Sequence, residues 1–289
     1  MTTSMVATFE AERSRLFDVA YRLLGSVADS EDVVQEAYLR WADQAGRPID
    51  NPAAFLTTVV SRLALDRLRS ARHRREQYVG PWLPEPVATT GPDDDVVLAE
   101  SLTIGFLAVL ERLGPVERAV FVLHDVFALP FAEVAGIVDR SEANCRQIAR
   151  RARERVRAEG PGARPRPAPS GHQGLIDAFL DAVVSGDVAR LEQLLAEDVV
   201  HVSDGGADHH AARRPVVGRD RVARLFVNLA KRTPERAGVE LLHLNGEPSV
   251  MVTVEGRPFV TITLGVTDGL ITNIWAVINP DKIAHLGTD

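Results

Sequence analysis

The chain has 289 residues, 45% apolar side chains and a formal net charge of −7. This length predicts two or three compact domains, and the acidic balance argues against a protein that coats DNA unaided, because such binding depends on neutralising phosphates. A single cysteine, Cys145, excludes an intramolecular disulfide framework and a cysteine-rich zinc site. No apolar run reaches the roughly 18–20 residues of a membrane span, and the N-terminal stretch lacks a signal-peptide layout, so we expect a cytoplasmic protein.

Residues 8–77 are predicted to be helical throughout. The apolar residues of the first helix follow a 3.6-residue repeat: Leu16, Phe17, Ala20, Tyr21 and Leu24. A second helix is expected after Gly25, with Ser30 as its N-cap. One face of that helix is acidic and polar, and it would suit a basic partner, although a solvated surface is the alternative that composition alone favours. That face holds Asp29, Asp32, Gln35 and Glu36.

A Pro-marked loop over residues 46–52 leads into a long helix over residues 53–75. The helix is apolar at its start and basic at its end, and the planar guanidinium of arginine suits phosphates and bases. Its basic residues are Arg62, Arg67, Arg69, Arg72, Arg74 and Arg75. A structural role is the alternative for Arg62 and Arg67.

Residues 131–157, between two linkers rich in Pro and Gly, have the layout of a helix-turn-helix with its turn at Arg140-Ser141. Ser141 is the predicted N-cap of the second helix. An apolar stripe runs along that helix, formed by Cys145, Ile148, Ala149, Ala152 and Val156. Because the stripe includes Cys145, a small core residue is favoured over a redox role.

The opposite face of the second helix carries arginine and glutamine, which suits the major groove of DNA. We predict that its N-terminal residues meet base edges: Glu142, Ala143, Arg146 and Gln147. Residues further along would hold phosphates: Arg150, Arg151 and Arg153. A surface helix with solvated arginines is the alternative.

From about residue 174 the pattern changes to mixed helix and strand. Residues 175–199 read as a helix pair, residues 199–206 as a strand, and residues 218–233 as a further helix. The remainder alternates apolar and polar residues, cut by turn signals at Asn245-Gly246, Glu255-Gly256 and Asp268-Gly269. This spacing predicts an antiparallel meander.

The first ~160 residues resemble an extracytoplasmic-function sigma factor. "DSEDVVQEAYLRWA" (29–42) is similar to the helix that grips the polymerase clamp, and "AAFLTTVVSRLALDRLRSARHRR" (53–75) to the helices that read and open the −10 element. "LERLGPVERAVFVLHDVFALPFAEVAGIV" with the arginine-rich helix resembles the −35-binding domain. The resemblance implies core RNA polymerase and promoter DNA as partners, initiation at stress-type genes, and capture of an extruded base by Asp50 or Asn51 in loop 46–52.

Residues 174–289 resemble a SnoaL-like domain, an α+β cone that a SigJ-like group of these factors carries. Three local features carry this likeness: "WLPEP" in the first linker, "DGG" at 204–206 and "NPDK" at 279–282. The signature of the group usually runs DGGGK, whereas this chain continues with Ala207 and Asp208. Because Asp208 stands where the signature has a lysine, a role for a basic residue at that position is not expected in this chain.

The expected fold is therefore multidomain, with two all-α sigma domains, the second carrying the helix-turn-helix, and a C-terminal α+β SnoaL-like cone. The expected division is a region 2 domain (1–77), a linker (78–96), a region 4 domain (97–159), a Pro/Gly-rich linker (160–173) and the extension (174–289).

The first linker is predicted to dock on the extension rather than to act as a plain tether. Trp82 and Leu83 offer apolar area, and Pro84 stiffens the peptide. The expected docking residues of the extension are Asp204, Gly205, Gly206, Asn279, Pro280, Asp281 and Lys282. The extension would then regulate in cis without a separate anti-sigma protein. The alternative is that Trp82 folds back onto its own helical domain.

An enzymatic or ligand-binding extension is the rival hypothesis, since SnoaL-like folds host cyclases, isomerases and hydrolases. Its titratable residues are His201, Asp204, His209, His210 and Asp281. We predict no catalytic residue, cofactor or metal site. Binding of an unknown small molecule by the extension remains an open alternative. A two-domain repressor would not explain residues 29–75.

Overall fold

The structure is a computed structural model, and it describes residues 3–45, 47–76, 78–89, 101–158, 172–207, 211–234 and 236–287. Its contacts divide the chain into two compact units. The helical unit comprises residues 1–77 and 109–158, and the C-terminal unit comprises residues 78–108 and 159–289. Residues 78–108 therefore group with the extension.

The helical unit begins with three helices, α1 (Thr3–Leu24), α2 (Val27–Ala42) and α3 (Pro52–Glu76). Four of the five predicted apolar positions of α1 are fully buried: Leu16, Ala20, Tyr21 and Leu24. The 3.6-residue repeat thus identified the packed face of this helix.

The predicted N-cap of α2 is wrong. Gly25 takes a left-handed φ of 66°, so the chain turns before Ser26 and the helix starts at Val27. The Ser26 hydroxyl accepts the N–H of Asp29 at 3.2 Å and caps the helix. Ser30 lies one turn further on, where it is fully buried and donates to the Ser26 carbonyl at 2.6 Å.

Further along the chain come α4 (Ile104–Leu110), α5 (Pro115–Phe121), a π turn (Val122–Val126), α6 (Phe131–Val138) and α7 (Glu142–Ala158). The boundary between the two units falls inside α4, after Ala108. Asp139 ends α6 in a left-handed conformation, and the Ser141 hydroxyl accepts the N–H of Asn144 at 3.2 Å. The helix-turn-helix is therefore present with its predicted turn and cap.

Two buried arginines join the first three helices of the helical unit to its helix-turn-helix part. Arg118 donates through Nε to the carbonyl of Arg22 at 3.1 Å, and its guanidinium pairs with Glu111. The Arg22 guanidinium lies 5.6 Å from the ring centre of Phe127. Removing one partner of such a buried contact would leave a charge uncompensated.

In the C-terminal unit, helices α8 (His172–Ser185), α9 (Val188–Leu194) and α10 (Arg219–Ala230) pack on a six-stranded sheet. The strands are β1 (Leu195–Asp204), β2 (Val216–Val217), β3 (Ala237–Leu244), β4 (Glu247–Val254), β5 (Arg257–Thr267) and β6 (Leu270–Val277). Their order is β2-β1-β6-β5-β4-β3, with β1 parallel to β6 and the other pairs antiparallel. A short helix, α11 (Pro280–Ile283), follows.

The three predicted turns join β3 to β4, β4 to β5 and β5 to β6. Both central residues of each turn have φ between 52° and 77°, which is the backbone of a two-residue type I′ hairpin. The predicted meander is confirmed. The helix predicted to reach residue 199 instead ends at Leu194, because Leu195 already pairs with Ile271 in the sheet.

Candidate functional site

The end of β1 forms the centre of a linker-binding site, where Asp204 is fully buried. One carboxylate oxygen of Asp204 accepts the Tyr78 hydroxyl at 2.5 Å and the N–H of Gly206 at 3.1 Å. The other accepts the N–H of Leu83 at 2.7 Å and the Lys282 ammonium at 2.8 Å. A single buried carboxylate thus binds two residues of the linker segment, which we define as residues 78–89.

Lys282 completes the charge balance and also contacts the linker segment. Its ammonium donates to the carbonyl of Leu83 at 2.5 Å and lies 3.9 Å from the Trp82 ring centre, a cation–π distance. Burial, followed by the hydrogen bond and the charge of Asp204, raises the pKa of Tyr78 well above its usual value. Tyr78 therefore remains a donor at neutral pH.

Apolar packing supports these polar contacts. Leu83 is 2% exposed and shares a cluster with Ile104, Trp275, Val277 and Ile283. The linker segment and α4 therefore contribute to the same small core as β6 and α11.

Asn279 and the glycine pair fix the shape of the site. The Asn279 side chain caps α11 through the N–H of Asp281 at 3.1 Å and donates to the Tyr78 hydroxyl at 2.9 Å. Gly206 has a φ of 65°, and a Cβ there would lie 2.9 Å from Asn279 Nδ2. Both features favour glycine at this position, because a side chain would displace Asn279. The sequence departs from the SigJ-like signature at Ala207, which is exposed, and at Asp208, which lies outside the described residues.

Sequence reasoning missed four further partners of this region: Tyr78, Asn245, Glu247 and His285. Asn245 was recognised only as a turn residue, yet it is fully buried and bonds Val87 and Leu102. A ring nitrogen of His285 lies 2.8 Å from the Pro86 carbonyl. A turn signal reveals backbone conformation but not what the side chain contacts.

The predicted reading face of α7 is exposed, while its apolar stripe is buried. Ala143, Arg146, Gln147, Arg150 and Arg151 are exposed; Cys145, Ile148, Ala149 and Ala152 are buried. Burial raises the pKa of the Cys145 thiol, which favours its role as a core residue.

Several of the α7 arginines already have intrachain partners. Arg146 pairs with Glu142 and lies 5.4 Å from the Phe131 ring centre. Arg153 pairs with Asp125 at 2.6 Å and is about one-third exposed. Arg153 is consequently less available to a phosphate than Arg150 or Arg151.

The basic helix α3 and the acidic face of α2 are brought together. Arg67 lies 3.1 Å from the carboxylate of Asp32 and 3.5 Å from that of Asp29. Arg62 donates to the carbonyl of Gly136 at 2.8 Å. These intrachain contacts support the alternative interpretation that Arg62 and Arg67 stabilise the fold. The side chains of Arg72, Arg74 and Arg75 lie outside the described part of the chain.

The remaining predicted positions are at the surface. Asp50 is exposed, and the Asn51 side chain accepts the N–H of Ala54 at 3.0 Å at the start of α3. Asp32, Gln35 and Glu36 are exposed on α2. Leu39, 58% exposed, extends the same face, one helical repeat after Asp32. Sequence analysis did not include Leu39 in this face, although its position seven residues after Asp32 indicates that both lie on the same side of the helix.

A cavity of about 160 Å³ lies between the linker segment and the extension. It is lined by Val79, Gly80, Pro81, Ser203, Gly205, Gly206, Ala207, Ala211, Ala212 and Arg213. His201, Asp204 and Asp281 do not line it, and His209 and His210 lie outside the described residues. Among described residues, no cluster of three or more His, Cys, Asp or Glu side chains could hold a metal ion.

His201 is instead packed in the core of the C-terminal unit. It is 3% exposed, its ring lies edge-on to Phe226 at 5.1 Å, and its Nδ1 has no partner among the residues described. Burial lowers the pKa of His201 to about 4, although a backbone hydrogen bond to Ile274 opposes the shift.

Three family descriptions match the chain in order. Residues 8–74 match Sigma-70 region 2, residues 105–156 match Sigma-70 region 4, and residues 176–277 match a SnoaL-like domain. The ECF RNA polymerase sigma factor SigJ of Mycobacterium tuberculosis (strain ATCC 25618 / H37Rv) is 45% identical, over 96% of this chain and 92% of the relative.

The chain belongs to the ECF RNA polymerase sigma factors. A probable ECF sigma factor SigI of Mycobacterium tuberculosis (strain CDC 1551 / Oshkosh) is 33% identical, over 97% of this chain and 95% of the relative. The crystal structure of Mycobacterium tuberculosis SigJ matches with a TM-score of 0.77 and 40% identity, over 96% of this chain and 98% of that one.

The sigma factor acts in promoter-recognising transcription initiation, with core RNA polymerase and promoter DNA as its partners. Two all-α sigma parts and an α+β SnoaL-like domain confirm the predicted fold class. Within the described residues, no helix combines the length and apolarity needed to cross a bilayer.

Proposed function

We propose that the SnoaL-like domain controls initiation in cis by binding the linker segment between regions 2 and 4. The observation that carries this proposal is the buried Asp204 carboxylate, which accepts the Leu83 N–H and the Lys282 ammonium together. The docked segment joins the two promoter-reading regions, so docking restricts the arrangements that they can take. A separate anti-sigma protein is not required, and the site of action is the cytoplasm.

Two states of the sigma factor follow from this proposal, one with the linker segment docked and one with it released. Releasing it would expose Leu83 to water and would leave the buried pair of Asp204 and Lys282 without three of its hydrogen bonds. A signal can shift the balance only if it binds the two states differently. The genes whose transcription the sigma factor initiates are proposed to be stress-type genes.

The roles of the surface residues are assigned as follows. Ala143, Arg146 and Gln147 of α7 meet bases of the −35 element with Glu142, and Arg150 and Arg151 hold phosphates. Asp50 or Asn51 and the arginines of α3 from Arg69 onward serve the −10 element, whereas Arg62 and Arg67 are structural. The residues of α2 that contact core polymerase are Asp32, Gln35, Glu36 and Leu39. Asp29 contacts core polymerase as well and also pairs with Arg67 within the chain.

Run-off transcription with core polymerase tests the cis control. Trp82→Ala, and a chain ending at residue 160, should give run-off levels clearly different from the full chain, because both weaken docking. Phe259→Ala is the matched control, since Phe259 is an aromatic residue of the extension that is 45% exposed. Identical activity of all four proteins would end the proposal.

Binding of a small molecule is the second candidate, and the cavity beneath Val79–Pro81 favours it. About 160 Å³ is small compared with the roughly 300–1,000 Å³ of drug-sized sites, but it would hold a molecule of benzene size. With Arg213 on its wall, benzoate is a suitable probe. Titration should perturb the amide signals of Gly80 and Gly206, and Arg213→Gln, but not Arg232→Gln, should abolish this effect. Unperturbed amides would exclude this candidate. We propose no catalytic role.

A further inference from the structure

The hairpin turn between β3 and β4 binds the linker segment at its downstream end. The N–H of Val87 donates to the Asn245 side chain at 3.0 Å, and the N–H of Asn245 donates to the Val87 carbonyl at 2.8 Å. Thr89 donates its N–H to the His243 carbonyl at 2.9 Å, and its hydroxyl accepts the N–H of Gly246 at 3.1 Å. Residues 87–89 therefore extend the sheet beside the edge strand β3.

The same turn also binds the chain that leads into α4. The side-chain amide of Asn245 donates to the Leu102 carbonyl at 3.0 Å, and the Glu247 carboxyl accepts the N–H of Ile104. Ile104 is 1% exposed and packs in the cluster that contains Leu83. One turn thus holds the chain on both sides of residues 90–100.

Asn245 suits both tasks for a physical reason. Its φ of 55° is left-handed, which asparagine tolerates better than most residues. Its amide has one acceptor, used by Val87, and donors, one used by Leu102. The side chain is fully buried, so water does not replace these bonds while the turn is formed.

This closure shortens the reach of the chain between regions 2 and 4. Residues 77–103 separate α3 from α4, and these 27 residues span at most about 90 Å when extended. With Val87 and Leu102 held by one side chain, only residues 77–87 and 102–103 and the bridge through Asn245 contribute, which is roughly 50 Å. The names of the −35 and −10 elements place them about 25 base pairs apart, which at 3.4 Å per base pair is roughly 85 Å of B-form DNA. Allowing about 30 Å for the domains themselves leaves about 55 Å, which the open chain spans easily and the shortened chain reaches only when every one of its residues is fully extended.

We propose that the Asn245–Glu247 turn is a clip that shortens the interdomain chain, and that it opens before regions 2 and 4 occupy one promoter. This inference rests on the proposed cis control and adds its direction: the closed clip opposes initiation. The clip lies apart from the Asp204 site and involves residues outside the three sequence features that resemble the SigJ-like group.

A reversible lock tests the clip. Ala88 and Leu244 form an antiparallel bridge, and the bonds of Val87 and Thr89 make it a non-hydrogen-bonded pair, whose Cα atoms lie about 4.5 Å apart. That spacing accepts a disulfide. Run-off transcription with Ala88→Cys/Leu244→Cys should be at least about tenfold lower for oxidised protein than for the same protein after reduction. Each single variant is a control that should not respond to reduction.

A second variant opens the clip without changing the turn. Asn245→Gly keeps the left-handed backbone but removes the side-chain bonds to Val87 and Leu102, so run-off should rise at least about fivefold, the effect of losing one net hydrogen bond. Glu255→Gly is the matched control, because Glu255 takes the same position in the next hairpin with a φ of 53°.

The outcomes separate the clip from the cis control on which it rests. Equal run-off from oxidised and reduced double-cysteine protein, with no effect of Asn245→Gly, would overturn the clip. The cis control would survive that result if Trp82→Ala still altered run-off, and it would fail together with the clip if Trp82→Ala had no effect.

Discussion

At the residue scale, the chain concentrates its buried charge at the linker-binding site. Asp204 and Lys282 are both nearly inaccessible, and their hydrogen bonds lead to linker residues rather than to water. A buried pair of this kind contributes little net stability, whereas breaking it by removing one partner is strongly destabilising. We propose that this ion pair mainly specifies the geometry in which the linker segment docks.

Lys282→Met should therefore lower the unfolding free energy of the protein by about 3 kcal/mol, because it leaves the Asp204 carboxylate uncompensated. Chemical unfolding followed by tryptophan fluorescence would measure it. The chain has one other lysine, Lys231, which is exposed at the end of α10. Lys231→Met should change the unfolding free energy by less than about 0.5 kcal/mol. Equal effects of the two substitutions would show that Lys282 does not compensate the buried Asp204 carboxylate.

The buried imidazole of His201 predicts a loss of stability in acid. Its folded pKa of about 4 lies below the ordinary value of 6.5, so the unfolded chain binds a proton first as the pH falls. The contribution to folding is complete above about pH 6.5 and decreases by about 3 kcal/mol as the pH falls to about 4.

His201→Leu should flatten that part of the stability profile, measured as unfolding free energy between pH 4 and 7. His243→Gln, at an exposed position, should leave the profile unchanged. A His201→Leu profile as steep as that of the original protein would show that other groups cause the acid sensitivity.

At the scale of elements, sequence periodicity and turn chemistry predicted most of the fold. The stripe of α7 and the Asn245-Gly246, Glu255-Gly256 and Asp268-Gly269 turns depend on local rules, and the structure follows them. Contacts between distant residues were not predictable in the same way. Nothing local to Arg118 indicates that it binds the Arg22 carbonyl 96 positions away, and Ser30 failed as a cap because an earlier glycine moved the helix start.

The exposed face of α7 leads to a prediction about its arginines. Arg151 is exposed, and as a phosphate contact its replacement should weaken promoter binding evenly across sequences. With Arg151→Ala, the slope of log K against log salt for the holoenzyme should fall in magnitude by about 1.

Arg224→Ala is the control for that measurement, because Arg224 is an exposed, paired arginine on α10 of the extension. A change confined to certain −35 sequences would instead place Arg151 against a base. No change at all would remove it from the interface.

At the scale of the whole molecule, we propose that an acidic sigma factor reads DNA through two small basic surfaces and is controlled through the chain that joins them. The Asp204 site and the Asn245–Glu247 clip hold that chain at separate points of the same SnoaL-like domain. The sequence indicated the first site through its similarity to known motifs, whereas the second emerged only from the packing of Asn245.

Hydrogen exchange, measured on the sigma factor alone and in a promoter complex with core polymerase, reports directly on release of the linker segment. In the sigma factor alone, peptides that contain Leu83, Val87 and Thr89 should be protected, because their amides donate to the SnoaL-like domain. In the promoter complex the same peptides should exchange at least tenfold faster, and so should the amide of Asn245, which donates to the Val87 carbonyl. If all of these amides stay protected in a complex that is synthesising RNA, release of the linker segment does not control initiation.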